Sequence, residues 1–401
     1  MNKKFKKYVT SYLNDLHLSN NSTIGDNNFG KSIGNPLNPS INLSSAYAFK
    51  TIDELNEYHD NKRDNTRYAR DGNDLARQAE EYFGHMFDKS TCFLFNSGMA
   101  AVSCALNVLY DKIDNIVTFG MFYRKSEVII SDAAKRFNIR HLNVVDDKFS
   151  MLTSLKGKTL FFIENFSNPF LRLTDVKKLK REFPDSFIII DITLQGLITN
   201  EDEVNHADII VSSCTKYIGG HNDILAGILS TKNKDLVKEV WDFRSSNGCI
   251  LGSFDSYLLL RSLRTYDLRI AQIEKNTNHV ISFLKEHPKI KRIFYPFSFS
   301  NNDQASMGEQ YAFHGGVISF EVIHEVNLER NIEKLCSTKM APSFGSVDSL
   351  IEIPFFMSKR EKGGIDEKHY HSLIFSNNFI RFSVGCEPFS YIYEDLKILL
   401  A

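Results

Sequence analysis

The chain has no basic surplus. Its 48 Lys and Arg residues stand against 49 Asp and Glu, a net charge of −1. A nucleic-acid-binding domain shows an excess of cations, so a nucleic-acid partner is excluded. No run of ~18 or more apolar residues occurs, which argues against a membrane span. Six cysteines (Cys92, Cys104, Cys214, Cys249, Cys336, Cys386) lie far apart without a CxxC pair. That spacing excludes a disulfide framework and implies reduced thiols in a cytoplasmic protein. There is no internal repeat, no low-complexity tract and no clustered metal-ligand spacing. His369 and His371 stand alone and read as solvated polarity, so no metal is expected.

The N-terminus is basic, but Phe5, Tyr8, Val9, Tyr12, Leu13 and Leu16 fall at helical spacing. They read as an amphipathic helix and not as the continuous apolar core of a signal peptide. Residues 18–45, rich in Asn, Ser, Gly and Pro, read as an extended arm. Within it, "GDNNFGKS" (25–32) matches the phosphate-loop pattern. That pattern works only between a buried strand and a helix, and the following "IGNPLNPS" is unable to start a helix. The match is a coincidence of letters, and a nucleotide-binding reading is rejected.

Short β-branched runs then alternate with helical stretches. "TCFLF", "NIVTF", "TLFFIE", "SFIIID", "ADIIVSS" and "LAGILS" are the strands, with helices at 99–110, around "SEVIISDAAKRF" and near "DVKKLKREF". This alternation predicts an α/β fold, a largely parallel sheet with helices on both faces. From about residue 254 a long helical stretch begins, and "GGVISFEV" and "FIRFSVG" precede a final helix. The expected division is an N-terminal helix and arm over 1–62, an α/β domain over 63–255 and a smaller α+β domain over 256–401.

Four local patterns carry chemistry. "FNSGMAAV" places Gly98 and Met99 between an apolar strand and a helix of small residues. Free amides and the helix dipole make such a turn an anion pocket, although a serine-capped βα turn has the same letters. "SFIIID" ends a fully apolar strand in Asp191, costly to bury without a cationic partner. A helix cap explains such an acid, and so does a carboxylate holding a proton on a heterocyclic nitrogen. Lys216 ends the next strand, fenced by Ser213 and Thr215. A desolvated lysine there is a nucleophilic amine suited to a Schiff base, while a lone strand-end lysine is ordinarily solvated. Arg381, inside "NFIRFSVG", needs an anionic partner, either a bound carboxylate or a structural salt bridge. Together these four needs are those of a pyridoxal phosphate enzyme acting on an amino acid.

With these residues assembled, the sequence resembles the Cys/Met-metabolism family of pyridoxal phosphate enzymes from about residue 38 onward. "NPSINLSSAYAF" resembles the family's entry segment. The resemblance implies an aspartate-aminotransferase-like fold and a homodimer or homotetramer with shared sites. In "YARDGND", Tyr68 and Arg70 would reach the phosphate of a neighbouring subunit's cofactor. Gly98 and Met99 would offer backbone amides, and Ser213 and Thr215 hydroxyls, to the phosphate. Tyr123 of "MFYRKS" would stack on the ring and assist proton transfer. Asn168 of "ENFSNPFLRLTD" would lie near the ring hydroxyl, and Lys216 of "SSCTKYIGGHND" would hold the cofactor. Ser343 of "APSFGSVDSL" would touch the substrate carboxylate beside Arg381.

The family pattern is broken at several places. Arg124 and Lys125 replace two small residues, and Phe166, Ile192 and Lys359 replace a proline, an asparagine and a histidine. Asp348 stands where cystathionine lyases often carry glutamate, and Phe344 is an aromatic of a kind some β-lyases share. The resemblance implies γ-replacement or γ-elimination on a homoserine ester or sulfur amino acid, the chemistry of trans-sulfuration. β-Elimination, a non-sulfur amino-acid substrate, and a non-catalytic descendant of the fold are the alternatives.

Overall fold

The computed structural model describes residues 37–62, 65–88, 90–144, 149–198, 201–296, 307–308, 311–354 and 377–401. The N-terminal amphipathic stretch, "GDNNFGKS", Lys359, His369 and His371 lie outside the described residues. Two compact units are formed. The first takes the described residues up to Asp111 with Asp208–Thr215 and Ile224–Thr265. The second takes Lys112–Ala207, Lys216–Asp223 and Tyr266–Ala401.

The strands are β1 (Thr91–Phe95), β2 (Asn115–Phe119), β3 (Arg140–Val144), β4 (Thr159–Glu164), β5 (Phe187–Asp191) and β6 (Ile209–Ser213). They continue as β7 (Gly227–Thr231), β8 (Ile290–Phe294), β9 (Val317–Val322), β10 (Lys339–Met340), β11 (Leu350–Glu352) and β12 (Phe379–Ser383).

In the first unit β7 lies between β1 and β6 and is antiparallel to both. Nearly every residue of these three strands is buried, as their uninterrupted apolar runs require. No helix separates β6 from β7, so the chain returns in the opposite direction instead of crossing over. The helix Gly98–Asn107 follows β1 and starts at Ser97, whose hydroxyl accepts the Ala100 amide at 3.1 Å.

In the second unit β5, β4, β2 and β3 pair in parallel and in that order. All four therefore point their carboxyl ends to one edge, where the loops holding Tyr123, Asn168 and Thr193 begin. A second sheet, ordered β10–β11–β12–β9–β8, is antiparallel except for the β10–β11 pair. Its central strand is β12, which bears Arg381.

Four strands have no counterpart in the sequence reading. β3 (RHLNV) and β8 (IKRIF) mix cations with apolar residues and are partly exposed. β10 and β11 are two and three residues long. None offers the apolar run or alternation by which a strand is read. The long helical stretch after residue 254 divides into helices Ser253–Leu263 and Tyr266–Glu286. All six cysteines are free thiols. Among the described residues no helix is long and apolar enough to cross a membrane, and no cluster suits a metal ion.

One buried acid outside the sheet edges has a pH signature. Glu203 accepts hydrogen bonds from Asn165 Nδ2, the Tyr311 hydroxyl and, at 3.3 Å, Gln195 Nε2. Burial pushes its carboxyl up from 4.5 to about 8. The folded state then holds this proton more tightly than the unfolded chain. The stabilisation is complete below pH 4.5 and is lost as the pH rises through about 8. In thermal melts of Glu203→Gln, the difference in Tm from the parent should shift in the variant's favour across that interval. A pH-independent difference would refute the assignment.

Candidate active site

Lys216 sits three residues beyond β6, where the chain has just left the first unit. Its Nζ donates to Ser343 Oγ at 2.7 Å and lies 5.0 Å from the centre of the Phe344 ring. Burial, and then the Arg381 charge, lower its pKa from 10.5 to about 8, with Glu352 opposing. The amine is thus partly neutral near physiological pH, as a nucleophile or base must be.

The backbone around this lysine is pinned from several sides. Arg269 donates to the carbonyls of Tyr217 and Ile218 at 2.7 and 3.0 Å. Gly220 has φ +71°, and a Cβ there would collide with the Arg269 guanidinium. The fully buried Tyr217 accepts the Gly316 amide on its hydroxyl at 2.6 Å. Gly220 and a distant arginine together pin the backbone that follows Lys216.

Asp191 ends β5 and is 7% exposed. Its Oδ1 accepts the Thr193 amide at 2.9 Å and the Thr193 hydroxyl at 2.5 Å. The register sets Glu164, the last residue of β4, directly opposite. Burial raises the carboxyl pKa of both, and for Glu164 the Asp191 charge raises it further. The two neighbouring acids oppose each other's ionisation, and a protonated heterocycle beside Asp191 would favour the ionised form.

Arg381 donates through Nη1 to Asn168 Oδ1 at 3.2 Å and through Nη2 to the Ser343 carbonyl at 3.3 Å. It also forms an ion pair with Glu352, its cross-strand neighbour on β11, with side chains 11% and 16% exposed. A salt bridge is therefore present, and an incoming carboxylate would share the guanidinium with Glu352. Ser343 has φ +105°, a strained value for a non-glycine residue. Its hydroxyl and carbonyl are both engaged in the cluster. Tyr123, 44% exposed, precedes the helix Arg124–Phe137, and its phenol pKa is raised by burial and by Glu164.

The second unit thus brings Lys216, Ser343, Arg381 and Asn168 into direct contact, with Asp191 and Tyr123 connected to them through Glu164. Gly98, Met99, Ser213, Thr215, Tyr68 and Arg70 belong to the first unit. A Cβ on Gly98 would lie 2.7 Å from Ser213 Cβ, so only glycine lets the helix start close against the end of β6. Thr215 Oγ1 accepts the Ala226 amide at 3.0 Å. Tyr68 and Arg70, with Tyr58, Lys62, Arg67 and Trp241, line a cavity of about 520 Å³.

Of the residues that break the family pattern, Ile192 is fully buried and Phe166 packs at 5.0 Å on Tyr311, so both serve the core. Arg124 and Lys125 begin the helix after Tyr123. Asp348 is held by Lys339 at 2.7 Å. Glu164, Glu352, Thr193 and Arg269 were not singled out from the sequence. Only Glu164 had a readable signal, since "TLFFIE" ends in an acid just as "SFIIID" does.

The second unit fits pyridoxal phosphate with a buried acid for a ring nitrogen and a partly buried, partly neutral amine, and the first unit by itself offers a glycine-dependent helix start that a Cβ would fill. A family model described as Cys/Met metabolism PLP-dependent enzyme matches residues 25–401. The chain belongs to this family. It is accordingly an enzyme whose cofactor is pyridoxal phosphate, in a family of amino-acid trans-sulfuration enzymes.

Among its relatives is the chloroplastic cystathionine gamma-synthase 1 of Nicotiana tabacum, 30% identical over 365 residues. That match covers 89% of this chain and 66% of the tobacco protein, just under two thirds. Cystathionine beta-lyase of Lactococcus lactis and cystathionine gamma-lyase of Bacillus subtilis are each 28% identical, covering 82% of this chain and 87% of theirs. Cystathionine gamma-lyase from Lactobacillus plantarum, solved with L-serine, superposes with a TM-score of 0.79 at 26% identity, covering 90% of this chain and 92% of its own. Cystathionine gamma-synthase from Xanthomonas oryzae gives 0.79 at 24%, covering 92% and 94%, a likeness of fold. The fold is the α/β fold of these pyridoxal phosphate enzymes.

Proposed function

We propose that the protein catalyses γ-replacement or γ-elimination on a homoserine ester or sulfur amino acid, as a cytoplasmic enzyme of trans-sulfuration. The observation that carries this reading is the Lys216 amine, held 2.7 Å from Ser343 Oγ beside Arg381. γ-Chemistry asks one base to move two protons, from Cα and then from Cβ, and a lysine on a flexible stem has that reach. Arg381 and Ser343 hold the substrate carboxylate, placing Cα before the amine. Asp191 supplies the negative charge that keeps a ring nitrogen protonated. Tyr123 offers its phenolic proton to the group leaving Cγ. The cofactor, when bound, supplies the electron sink for charge developing on the substrate.

The reading includes a homodimer or homotetramer, in which Tyr68 and Arg70 serve the cofactor phosphate of a second copy. Arg67 and Lys62 beside them add to the positive charge of that cavity.

A second reading, β-elimination, is favoured by one observation. The Phe344 ring lies 5.0 Å from Lys216 Nζ and 5.9 Å from the Arg381 guanidinium carbon. An aromatic so placed narrows the space for a longer chain and suits a leaving group at Cβ.

The two are separated by product. With L-cystathionine and O-acyl homoserines, γ-chemistry yields 2-oxobutanoate or, with an added thiol, a thioether. β-Chemistry yields pyruvate and homocysteine from cystathionine. Pyruvate as the sole keto acid across the panel would overturn the favoured reading.

A further inference from the structure

Glu164 terminates a strand whose preceding residues, Leu160 to Ile163, are completely buried. A carboxylate in that position is unfavourable unless hydrogen bonds replace its water. Backbone amides do so here. The Asn168 N–H donates to Glu164 Oε2 at 3.0 Å, and the Tyr123 N–H lies near enough to the same carboxyl to lower its pKa.

These amides come from different loops. Tyr123 lies four residues past the end of β2, and Asn168 four past the end of β4, strands that pair directly. One side chain therefore bridges the loops that follow two paired strands. Through Asn168 the tie reaches further, because Asn168 Oδ1 accepts from Arg381 Nη1 at 3.2 Å. Across β5 the register places Glu164 beside Asp191. The charged and titratable groups around it are Asp191, Arg381 and the Tyr123 phenol.

We propose that Glu164 is a positioning residue, a carboxylate clamp that sets the Tyr123 ring and the Asn168 amide at the spacing the cofactor ring requires. This rests on the reading of Tyr123 and Asn168 as cofactor contacts. The clamp works by accepting amides. Its loss leaves the covalent attachment at Lys216 possible but lets the ring lie in several orientations.

The test uses the full-length enzyme with cofactor added to the apoprotein, reading the cofactor's Kd and its induced circular dichroism in the visible. Glu164→Ala should bind at least tenfold more weakly, with a diminished induced band. Glu164→Gln, which keeps one amide-accepting oxygen while removing the charge, should recover most of that band. A wild-type band and Kd in Glu164→Ala would overturn the clamp. So would a Gln variant as impaired as the Ala variant, since charge and not amide acceptance would then be at work. Should Glu164→Ala not fold, Glu164→Asp decides, because a carboxylate one methylene shorter keeps the charge and loses the reach. A wild-type band there counts against the proposal. If the parent enzyme itself shows no induced band, the reading of Tyr123 and Asn168 fails instead, independently of the variants.

Discussion

Lys216→Ala should be inactive, with a loss of roughly 10⁴-fold or more, since one change removes both the covalent anchor and the base. Lys216→Arg should not rescue it, because a guanidinium stays protonated throughout the working pH range. Borohydride reduction of the holoenzyme followed by peptide mapping should leave the cofactor label on Lys216 and, in the variant, nowhere. A label on another lysine would refute the assignment.

The pH dependence has a definite sign. Capture of the cofactor by apoprotein needs the neutral amine, whose pKa is lowered to about 8 by burial and by Arg381. The capture rate should therefore rise with pH through about 8 and level off above it. Arg381→Ala removes a cation that lowers this pKa, so the curve should move to higher pH. A shift in the acid direction would show that the Arg381 charge does not lower the pKa of the amine.

Asp191→Asn should be nearly as damaging, with kcat falling on the order of 10²–10³-fold, the range for removing one preorganised electrostatic partner. The asparagine oxygen still accepts the Thr193 amide, so geometry survives while the charge opposing a protonated ring nitrogen is gone. In the absence of cofactor the same change should be favourable. Asp191 is a buried acid beside a second one, and its folded pKa is raised. That raised pKa means apoprotein stability falls as the pH climbs past the ordinary carboxylate range. Apo Asp191→Asn should therefore melt higher than the parent at pH 8 while the holoenzyme loses activity. A lower melting temperature for the apo variant would show that Asp191 is structural.

These residues differ in how visible they were beforehand. Lys216, Asp191 and Arg381 stand out because each is a charged residue set in an apolar strand or at its end, where burial demands a partner. Asp191 was legible for this reason, and Glu164 was equally legible in the repeated pattern of an apolar run closed by an acid. The partners themselves were not. The Lys216–Ser343 hydrogen bond spans 127 residues, and the Arg381–Ser343 contact spans 38. Glu352 sits on a strand of three residues that has no periodicity to read, and it meets Arg381 only through cross-strand register.

Local sequence thus determined which charged groups are set in apolar strands or at their ends, together with the strand-and-helix alternation of the α/β fold. Such information is contained in windows of a few residues, where side-chain type and periodicity act directly. Only the tertiary structure decided how those groups are held. It placed Glu164 beneath two loops, Arg269 behind the lysine's backbone, Glu352 on the arginine, and Phe344 across the lysine. Those placements depend on strand pairing and packing between distant segments, and no local pattern encodes them.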